Sequence, residues 1–241
     1  MQDESRMKHC RLFQKGNQDC LLFFAGWGMC PEPFADIPSG GVDVLMFYDY
    51  RGMNAEATSA ALTGLCRKSY RNVHLLAWSM GVRAASTLFT EEAFLVSELA
   101  SAIAIGGTCH PVHDLLGIPE QNFKEMAEQL TPARVEAFHR SMFSDEEETD
   151  RFARSFPRGK RSFAELQEEL LVLAGACRKE PEVPDIYTHR IVTGRDRIVP
   201  ARNQVRAWGR RNCRTLSLPH FPFYQWSSWS AMPQENGAEK V

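Results

Sequence analysis

Short apolar runs alternate along the chain with amphipathic stretches, and this alternation is the main indication of the fold. The runs are rich in aliphatic and aromatic side chains and are bounded by polar residues or glycine. They lie at Cys20–Ala25, Val42–Tyr48, Val73–Trp78, Ala100–Ile105 and Ile186–Thr193. Runs of this kind are typical of buried strands in a largely parallel sheet. The covering helices are predicted at Ala55–Arg67, Gly81–Phe89 and Pro200–Arg210.

Strand-like runs are missing between about residues 110 and 184, where charged amphipathic segments follow one another. These segments are Gln121–Leu130, Pro132–Phe143 and Phe163–Cys177. The strand pattern resumes at Asp185, so the chain is predicted to leave the sheet, form a helical lid over the strand ends and return. We therefore expect one α/β domain over residues 1–241, with a lid at residues 110–184 inserted within it.

Composition and charge restrict the class of function. With 28 basic and 30 acidic side chains, the formal net charge is -2, which provides no overall positive field for nucleic acid or an anionic membrane. No apolar run approaches the ~18 residues that span a bilayer, and the charged N-terminus lacks a signal-peptide pattern. The 7 cysteines include no C-x-x-C pair, which argues against a disulfide framework. We expect a cytoplasmic protein with neither nucleic acid nor membrane as a partner.

A serine stands where an apolar strand meets a helix, in the segment Ala77–Gly81. A nucleophile elbow needs small residues two positions before and after its serine, because the tight turn leaves no room for larger ones. Ala77 and Gly81 satisfy this need around Ser79. An ordinary helix N-cap serine gives a similar local pattern, so the segment alone leaves both interpretations open.

A nucleophilic serine also needs an imidazole base that a carboxylate orients. In α/β-hydrolases the acid precedes the histidine, and both follow the serine. Asp196 follows the last of the long apolar runs, and His220 follows the short run Thr215–Leu218. Both are predicted to lie on the same sheet edge as Ser79. A helix-terminal carboxylate and a structural histidine are the separate alternatives, but their joint occurrence in this order favours a catalytic triad.

Acyl transfer further requires two backbone N–H groups that stabilise the oxyanion. The residue after the nucleophile, Met80, is expected to provide one. The other is expected from Trp27, in the glycine-rich turn Gly26–Met29 that follows the first strand. A tight turn around a buried tryptophan is the alternative for this segment.

The segment Cys109–Asp114 contains thiol, imidazole and carboxylate groups that could bind a metal ion. Its spacing fits no common zinc site. The preferred interpretation is therefore a loop that packs near the predicted triad, and no metal site is predicted.

Six dispersed segments together carry a family resemblance. They are Gly26–Met29, Tyr48–Arg51, Ala77–Val82, Gly107–Thr108 with Pro111, Gly117–Pro119 and His220–Phe223. In combination they resemble the BioG-type pimeloyl-[acyl-carrier protein] methyl ester esterases, which are α/β-hydrolases of biotin synthesis. The resemblance extends from about residue 20 to residue 223, and its terminal His-Phe-Pro-Phe block is more specific than the serine elbow.

This resemblance implies cleavage of the methyl ester of a pimeloyl chain on acyl carrier protein, which releases methanol. The triad would be Ser79, Asp196 and His220, the oxyanion donors would be Trp27 and Met80, and no metal or organic cofactor would be required. A broad carboxylesterase or thioesterase is one alternative, because the fold does not define the acyl group. A non-catalytic hydrolase-fold protein that binds an acyl carrier is the other.

The predicted lid contains candidates for an acyl channel. Val135, Phe138 and Met142 fall at i, i+3 and i+7 of one helix, and Phe138 and Met142 are the proposed channel residues. A stripe with this spacing more often reflects ordinary helix packing, which is the alternative here.

The lid also concentrates basic side chains, which suits docking of an acidic carrier protein. The docking candidates are Arg134, Arg140, Arg151, Arg154 and Arg158, with Lys160 and Arg161 in the same cluster. Glu147 and Asp150 each stand four residues before one of these arginines, so local helix ion pairs are the alternative for Arg151 and Arg154.

Overall fold

In the part of the chain that the structure describes, seven strands form one sheet, and six of them run in parallel. The computed structural model describes residues 7–53, 70–90, 96–156, 161–179 and 182–234. The strands are β1 (Lys8–Phe13), β2 (Asp19–Phe24), β3 (Asp43–Tyr48), β4 (Asn72–Trp78), β5 (Leu99–Ile105), β6 (His189–Thr193) and β7 (Arg214–Leu216). Their order across the sheet is β1-β3-β2-β4-β5-β6-β7, and only β1 is antiparallel to its neighbour. The predicted α/β class with a mostly parallel sheet is confirmed.

Seven α-helices lie in the described part of the chain. They are α1 (Met80–Thr90), α2 (Glu120–Glu128), α3 (Pro132–Ser141), α4 (Glu146–Ser155), α5 (Phe163–Lys179), α6 (Ala201–Trp208) and α7 (Ala231–Gln234). Short 3-10 turns occur at Glu32–Phe34, Tyr50–Gly52 and Phe223–Gln225. The helix predicted at Ala55–Arg67 lies outside the described residues. Within the described ranges, no helix combines the length and the apolar character that crossing a bilayer would demand.

The sheet is buried on both faces, which explains why its central strands are almost continuously apolar. Alternate residues of β2 enter different core clusters: Cys20, Leu22 and Phe24 pack on one side, and Leu21 and Phe23 pack on the other. The first cluster also includes side chains of α1, α5 and α6, and the second is rich in aromatic side chains from the C-terminal segment.

Strand β1 and helices α4 and α7 were not predicted from the sequence. Strand β1 alternates between more and less exposed residues and carries charged side chains, as an edge strand often does, so it lacks an apolar run. Helix α4 buries only Phe152 and is otherwise mostly charged or polar, so it offers no apolar stripe. Its start is nevertheless marked by Asp145, whose side chain accepts a hydrogen bond from the N–H of Glu148.

Four helices, α2 to α5, stand between β5 and β6, in the region where the lid is predicted. Strand β6 begins at His189, three residues later than predicted, because Thr188 and the residues before it lie outside the sheet. A single domain with a lid at residues 110–184 stays a prediction. The parallel arrangement itself has a clear consequence: the carboxyl ends of β2, β4, β5, β6 and β7 share one edge of the sheet, which we call the catalytic edge.

The first turn of α1 is pressed against the end of β2. A Cβ atom at Gly81 would stand 2.4 Å from the carbonyl oxygens of both Phe24 and Ala25. Neither oxygen can move aside, because both belong to backbone. Only glycine therefore permits this close approach of helix and strand.

We expect Gly81→Ala to reduce the free energy of unfolding by about 1–3 kcal/mol, as overpacking in a core does. The measurement is urea denaturation followed by circular dichroism. Gly175→Ala is the matched control, because a Cβ atom there meets no atom within 4 Å and the residue lies inside α5. Alanine should raise helix stability there by up to about 1 kcal/mol. Equal effects of the two substitutions would contradict this account.

Candidate active site

Three side chains from different strand ends meet at the catalytic edge. The Oγ of Ser79 lies 3.0 Å from Nε2 of His220, and Nδ1 of His220 lies 2.8 Å from Oδ2 of Asp196. Ser79 follows β4, Asp196 follows β6 and His220 follows β7. All three side chains are buried. The fold therefore brings the three residues predicted from the sequence into one continuous chain of hydrogen-bonding groups. Such a chain can move a proton from the serine hydroxyl to the imidazole.

The backbone at Ser79 is held in the left-handed region, with φ at 57°. A non-glycine residue rarely adopts this conformation unless its surroundings enforce it. The Ser79 N–H donates to the carbonyl of Ile105 at 3.0 Å, and a Cβ atom at Gly107 would stand 2.2 Å from the Ser79 carbonyl oxygen. Ser79 is therefore the strained residue of an elbow between β4 and α1, which excludes an ordinary N-cap conformation.

The carboxylate of Asp196 is held by four donors besides the histidine. Its Oδ1 accepts the N–H groups of Ile198 and Val199, each at 2.8 Å. Its Oδ2 accepts the Thr193 hydroxyl at 2.6 Å and the Gln204 side-chain amide at 3.1 Å. A buried carboxylate that accepts this many hydrogen bonds is fixed in one orientation toward the imidazole.

Gln204 and Thr193 are functional neighbours that the sequence did not indicate. Gln204 is fully buried on α6, and its side chain bonds both to Thr193 and to the carbonyl of Val199. No motif marks either residue, because their importance follows from the packing of α6 beside the loop that carries Asp196.

The loop that carries His220 is fixed by aromatic packing. The indole N–H of Trp78 donates to the His220 carbonyl at 2.7 Å, and the N–H of Phe221 donates to the carbonyl of Met142 at 2.9 Å. Phe221 and Phe223 are fully buried and form edge-to-face contacts with Trp78. The phenylalanines of the His-Phe-Pro-Phe block thus hold the histidine by packing beneath the site.

The two predicted oxyanion donors are placed beside the serine. Trp27 and Met80 line the same cavity as Ser79, and neither of their backbone N–H groups has an acceptor within the described residues. The indole of Trp27 is turned away into the protein, where its Nε1 donates to the carbonyl of Leu166 at 2.8 Å. Two free N–H groups beside a nucleophile can stabilise a developing oxyanion.

A cavity of about 300 Å³ opens at Ser79. Its walls are mainly apolar and include Ile118, Phe123, Met126, Phe138, Leu170 and Ile198, with Asn122, Arg134 and Arg197 as polar members. Helix α3 contributes Phe138, whose ring packs edge-to-face on Trp27 at 5.2 Å.

The two predicted channel residues have different environments. Phe138 lines the cavity, whereas Met142 is absent from its walls and is fully buried in the aromatic core cluster. Met142 is the C-cap of α3, and its side chain packs in the core cluster that Phe138 borders. The assignment of Met142 to the channel is therefore corrected: its carbonyl anchors Phe221, and its side chain is core.

The five docking arginines also differ. Arg140 pairs with Glu136 on its own helix at 2.9 Å, and Arg151 pairs with Asp36 at 2.9 Å. The local pair expected between Glu147 and Arg151 is thus replaced by a contact between α4 and the 3-10 turn region near residue 36. The Arg151 guanidinium also covers the Tyr224 ring at 3.8 Å.

The other three docking arginines have a long ion pair, have no ion pair with a described residue, or lie outside the described residues. Arg134 lines the cavity and is 3.9 Å from Glu125, with both side chains exposed. Arg154 is exposed and makes no ion pair with any residue that the structure describes, so the expected pair with Asp150 is not formed. Arg158 and Lys160 lie outside the described residues.

Arg161 is not a surface residue, although it belongs to the predicted basic cluster. It is 7% exposed and bridges Glu169 at 2.7 Å and Asp49 at 3.0 Å. Burial would raise the pKa of Asp49, but hydrogen bonds from Arg51 and the charge of Arg161 lower that pKa to about 2. Asp49 is left-handed, with φ at 55°, so the Tyr48–Arg51 segment builds a charged junction between β3 and α5.

Three side chains of the Cys109–Asp114 segment have hydrogen-bond partners elsewhere in the protein. Cys109 contacts Ser86 at 3.6 Å, His113 accepts the N–H of Leu115, and Asp114 accepts the N–H of Glu120. Across the described ranges, no three His, Cys, Asp or Glu side chains are grouped so that they could hold a metal ion. This segment packs as a loop against α1 and α2.

Comparison with known proteins gives one family. The model of the family described as "Pimeloyl-ACP methyl esterase BioG" matches residues 7–232. A protein of Bacteroides fragilis named malonyl-[acyl-carrier protein] O-methyltransferase is 32% identical over 191 residues, which are 79% of this chain and 36% of that protein. This chain thus spans about a third of the length of that relative.

Solved structures support the same fold. The crystal structure of BioG from Haemophilus influenzae has a TM-score of 0.77 with 29% identity, over 93% of this chain and 99% of that one. A structure from Nitrososphaera gargenis, reported with carboxylesterases, has a TM-score of 0.60 with 13% identity, over 95% and 93% of the two chains. The second likeness concerns the fold alone.

Cys109 should be unreactive in the folded protein. Burial raises the pKa of its thiol to about 11, so the thiolate is scarce near neutral pH. We expect no alkylation of Cys109 by iodoacetamide under native conditions and full alkylation in urea, as read by peptide mass spectrometry. Rapid native labelling would show that the thiol is accessible and ionised.

Proposed function

Because this chain belongs to the pimeloyl-ACP methyl esterase family BioG, we propose that it cleaves the methyl ester of pimeloyl-[acyl-carrier protein] by a serine acyl-enzyme mechanism. The observation that carries this proposal is the unbroken contact from Ser79 through His220 to Asp196 beside an apolar cavity. A nucleophile, a base and an apolar site for an alkyl chain are what hydrolysis of a long-chain ester requires.

In the proposed first half-reaction, Ser79 Oγ attacks the ester carbonyl carbon while its proton moves to Nε2 of His220. The carbonyl oxygen becomes an oxyanion that the N–H groups of Trp27 and Met80 stabilise. The bond to the methoxy group then breaks, and His220 returns the proton so that methanol leaves. Asp196 keeps the imidazole oriented and stabilises its charged form throughout.

In the second half-reaction, water attacks the acyl-enzyme carbonyl and gives a proton to His220. The bond to Ser79 Oγ breaks, the serine recovers its proton, and the free carboxylate of the pimeloyl chain is released. All charge changes occur on groups that are already placed, so no metal or organic cofactor enters the mechanism.

The cavity suits the methylene chain of this substrate. Its apolar walls from Ile118, Phe123 and Phe138 can bury methylene groups at a gain of about 0.8 kcal/mol each. The carrier is too large to enter, so the thioester end must point to solvent. Arg134, which is partly exposed, and Arg197, which is exposed, belong to the cavity wall and would meet the carrier end of the acyl chain.

Docking of an acidic carrier then falls chiefly to Arg134 and Arg154. Arg154 is exposed and forms no ion pair with a described residue, and Arg134 has only the long contact with Glu125 at 3.9 Å, whereas Arg140 and Arg151 each hold a carboxylate at 2.9 Å. Charges that remain unpaired in the free protein have the most to gain from an acidic partner. Arg158 remains a docking candidate on the basis of the sequence alone.

The name of the Bacteroides relative supports a carrier-bound acyl group as substrate. Its methyl-transfer activity is not carried over to this chain. The match covers 36% of that protein, and the groups gathered at Ser79 are those of a nucleophilic hydrolase.

The direct test is hydrolysis of the pimeloyl-carrier methyl ester by the purified protein, followed as conversion of the carrier species by mass spectrometry. We expect turnover that Ser79→Ala abolishes, and that Asp196→Asn lowers by roughly 10⁴-fold because the imidazole loses its orienting carboxylate. A short aryl ester is run in parallel. Hydrolysis of the aryl ester alone would retain a serine esterase and reject the carrier substrate.

Docking through arginine predicts a salt effect specific to the carrier. Added salt should lower kcat/KM for the carrier-bound substrate by roughly 3- to 10-fold while the aryl ester changes little, because screening weakens steering between charged surfaces. Arg154→Ala should weaken the same dependence. Arg71→Ala is the control, since Arg71 is exposed beside the start of β4, at the opposite edge of the sheet. An identical response of both substrates to salt would remove the docking role.

A further inference from the structure

A buried carboxylate on α5 contacts the backbone beside the oxyanion site. Glu169 is fully buried, and its Oε2 accepts the N–H of Gly28 at 3.1 Å. Its Oε1 accepts the N–H of Tyr50, also at 3.1 Å. These two N–H groups belong to the loops that follow β2 and β3, so one side chain ties both loops to a helix of the predicted lid.

Trp27 is thereby held on two sides. Its indole Nε1 donates to the carbonyl of Leu166, one turn before Glu169 on α5. The peptide unit that follows Trp27 is held by the bond from the Gly28 N–H to Glu169. Gly28 itself is left-handed, with φ at 73°, so the loop turns sharply there. The Trp27 N–H, the proposed oxyanion donor, therefore lies in a segment whose orientation α5 determines.

The contacts of Tyr50 extend this arrangement to the next strand. Its hydroxyl donates to the carbonyl of Ala25 at 2.7 Å, at the beginning of the same loop. Glu169 holds the Tyr50 backbone, and Tyr50 in turn holds Ala25. The loop from Ala25 to Gly28 is thus anchored at its beginning and its end.

A buried carboxylate is costly unless it is paired, and the structure supplies the pair. Arg161 bonds Glu169 at 2.7 Å and Asp49 at 3.0 Å, and Asp49 is further bonded by Lys8 and Arg51. Burial raises the pKa of Glu169, and the neighbouring Arg161 opposes that rise. A neutral side chain of the same shape could accept only one of the two N–H groups, since an amide has one oxygen.

We propose that Glu169 is a positioning residue for the oxyanion site: by accepting the Gly28 and Tyr50 N–H groups it holds the Trp27 N–H where the ester oxyanion develops. This inference rests on the proposed hydrolase function. It also separates α5 from the rest of the predicted lid, because α5 cannot move away without releasing the oxyanion loop. Any opening of the lid must then occur in α2 to α4.

Glu169→Gln tests this role, and Glu168→Gln is the matched control. Glu168 precedes it on the same helix, and its substitution removes the same charge. The Glu168 side chain is 63% exposed, and its ion pair among the described residues is with Arg51 at 3.5 Å. On a short aryl ester, we expect Glu169→Gln to lower kcat by roughly 10- to 100-fold with KM within about two-fold, because a displaced donor weakens transition-state binding selectively. Glu168→Gln should match the wild type.

A boronic acid provides the readout that a structural role would not change. It forms a tetrahedral adduct on the serine and places an oxygen in the oxyanion site. Its affinity for Glu169→Gln should fall by about the same factor as kcat. Titration with a fluorophosphonate gives the number of active sites, and kcat is calculated per active site. Unchanged boronic acid affinity with fewer active sites would mean that Glu169 only supports folding, and would overturn the proposal.

Amide hydrogen exchange in the wild type decides the matter if the variant does not fold. The Gly28 and Tyr50 amides should exchange at least about 10³-fold more slowly than in an unstructured peptide, and the boronic acid should slow them further. Peptide-like exchange at either amide would overturn the proposal. The aryl ester and exchange measurements do not depend on the pimeloyl substrate. A wild type that cleaves the aryl ester but not the carrier ester would reject the proposed substrate and leave the Glu169 result standing.

Discussion

The left-handed backbone of Ser79 is the constraint on which the active site depends. A φ of 57° turns the chain sharply from β4 into α1, and it is kept by close backbone approaches on two sides. Gly81 lets α1 meet the end of β2, and Gly107 lets the β5 loop meet the serine carbonyl. Because three strand ends must come this close together, small residues at these positions are required sterically, whatever reaction the site performs.

Around this turn, the protein fixes each participating group by a different kind of interaction. His220 is held by aromatic packing and by the Trp78 indole, while Asp196 is held by a shell of hydrogen bonds that includes the buried Gln204. The loop with the proposed oxyanion donor Trp27 is held by the buried ion pair of Glu169 and Arg161. These supports lie on separate elements, so the site is assembled only when the sheet, α5 and α6 have all packed.

The helices between β5 and β6 serve the site in two ways. Helix α3 faces the cavity with Phe138, and α5 joins the oxyanion loop through Trp27 and Glu169. The arginines proposed to dock a carrier lie on α3 and α4. A substrate whose reactive end is buried and whose carrier remains outside suits this division, because binding energy from the carrier and the chain can be used to place the ester.

The sequence alone was enough to predict the fold class and the three residues Ser79, Asp196 and His220 that meet in the structure. Those predictions depend on local signals: apolar runs long enough to be buried strands, small residues around a serine, and an acid and a histidine each placed just after a strand. Parallel strands bring such positions to one edge, so chain order is sufficient to predict proximity there. Strand β1 and helix α4 were not predicted, because edge and surface elements bury few apolar side chains and therefore show no apolar run or stripe in the sequence.

Only the tertiary structure decided the roles of the polar residues that support the site. Arg161 stands among surface arginines in the sequence yet is buried beside Asp49, and Arg151 takes Asp36 in preference to its helical neighbour. Glu169 and Gln204 carry no motif at all. The physical reason is common to them: a charged or amide side chain is defined by the partner it meets in space, and that partner lies up to 141 residues away in the chain.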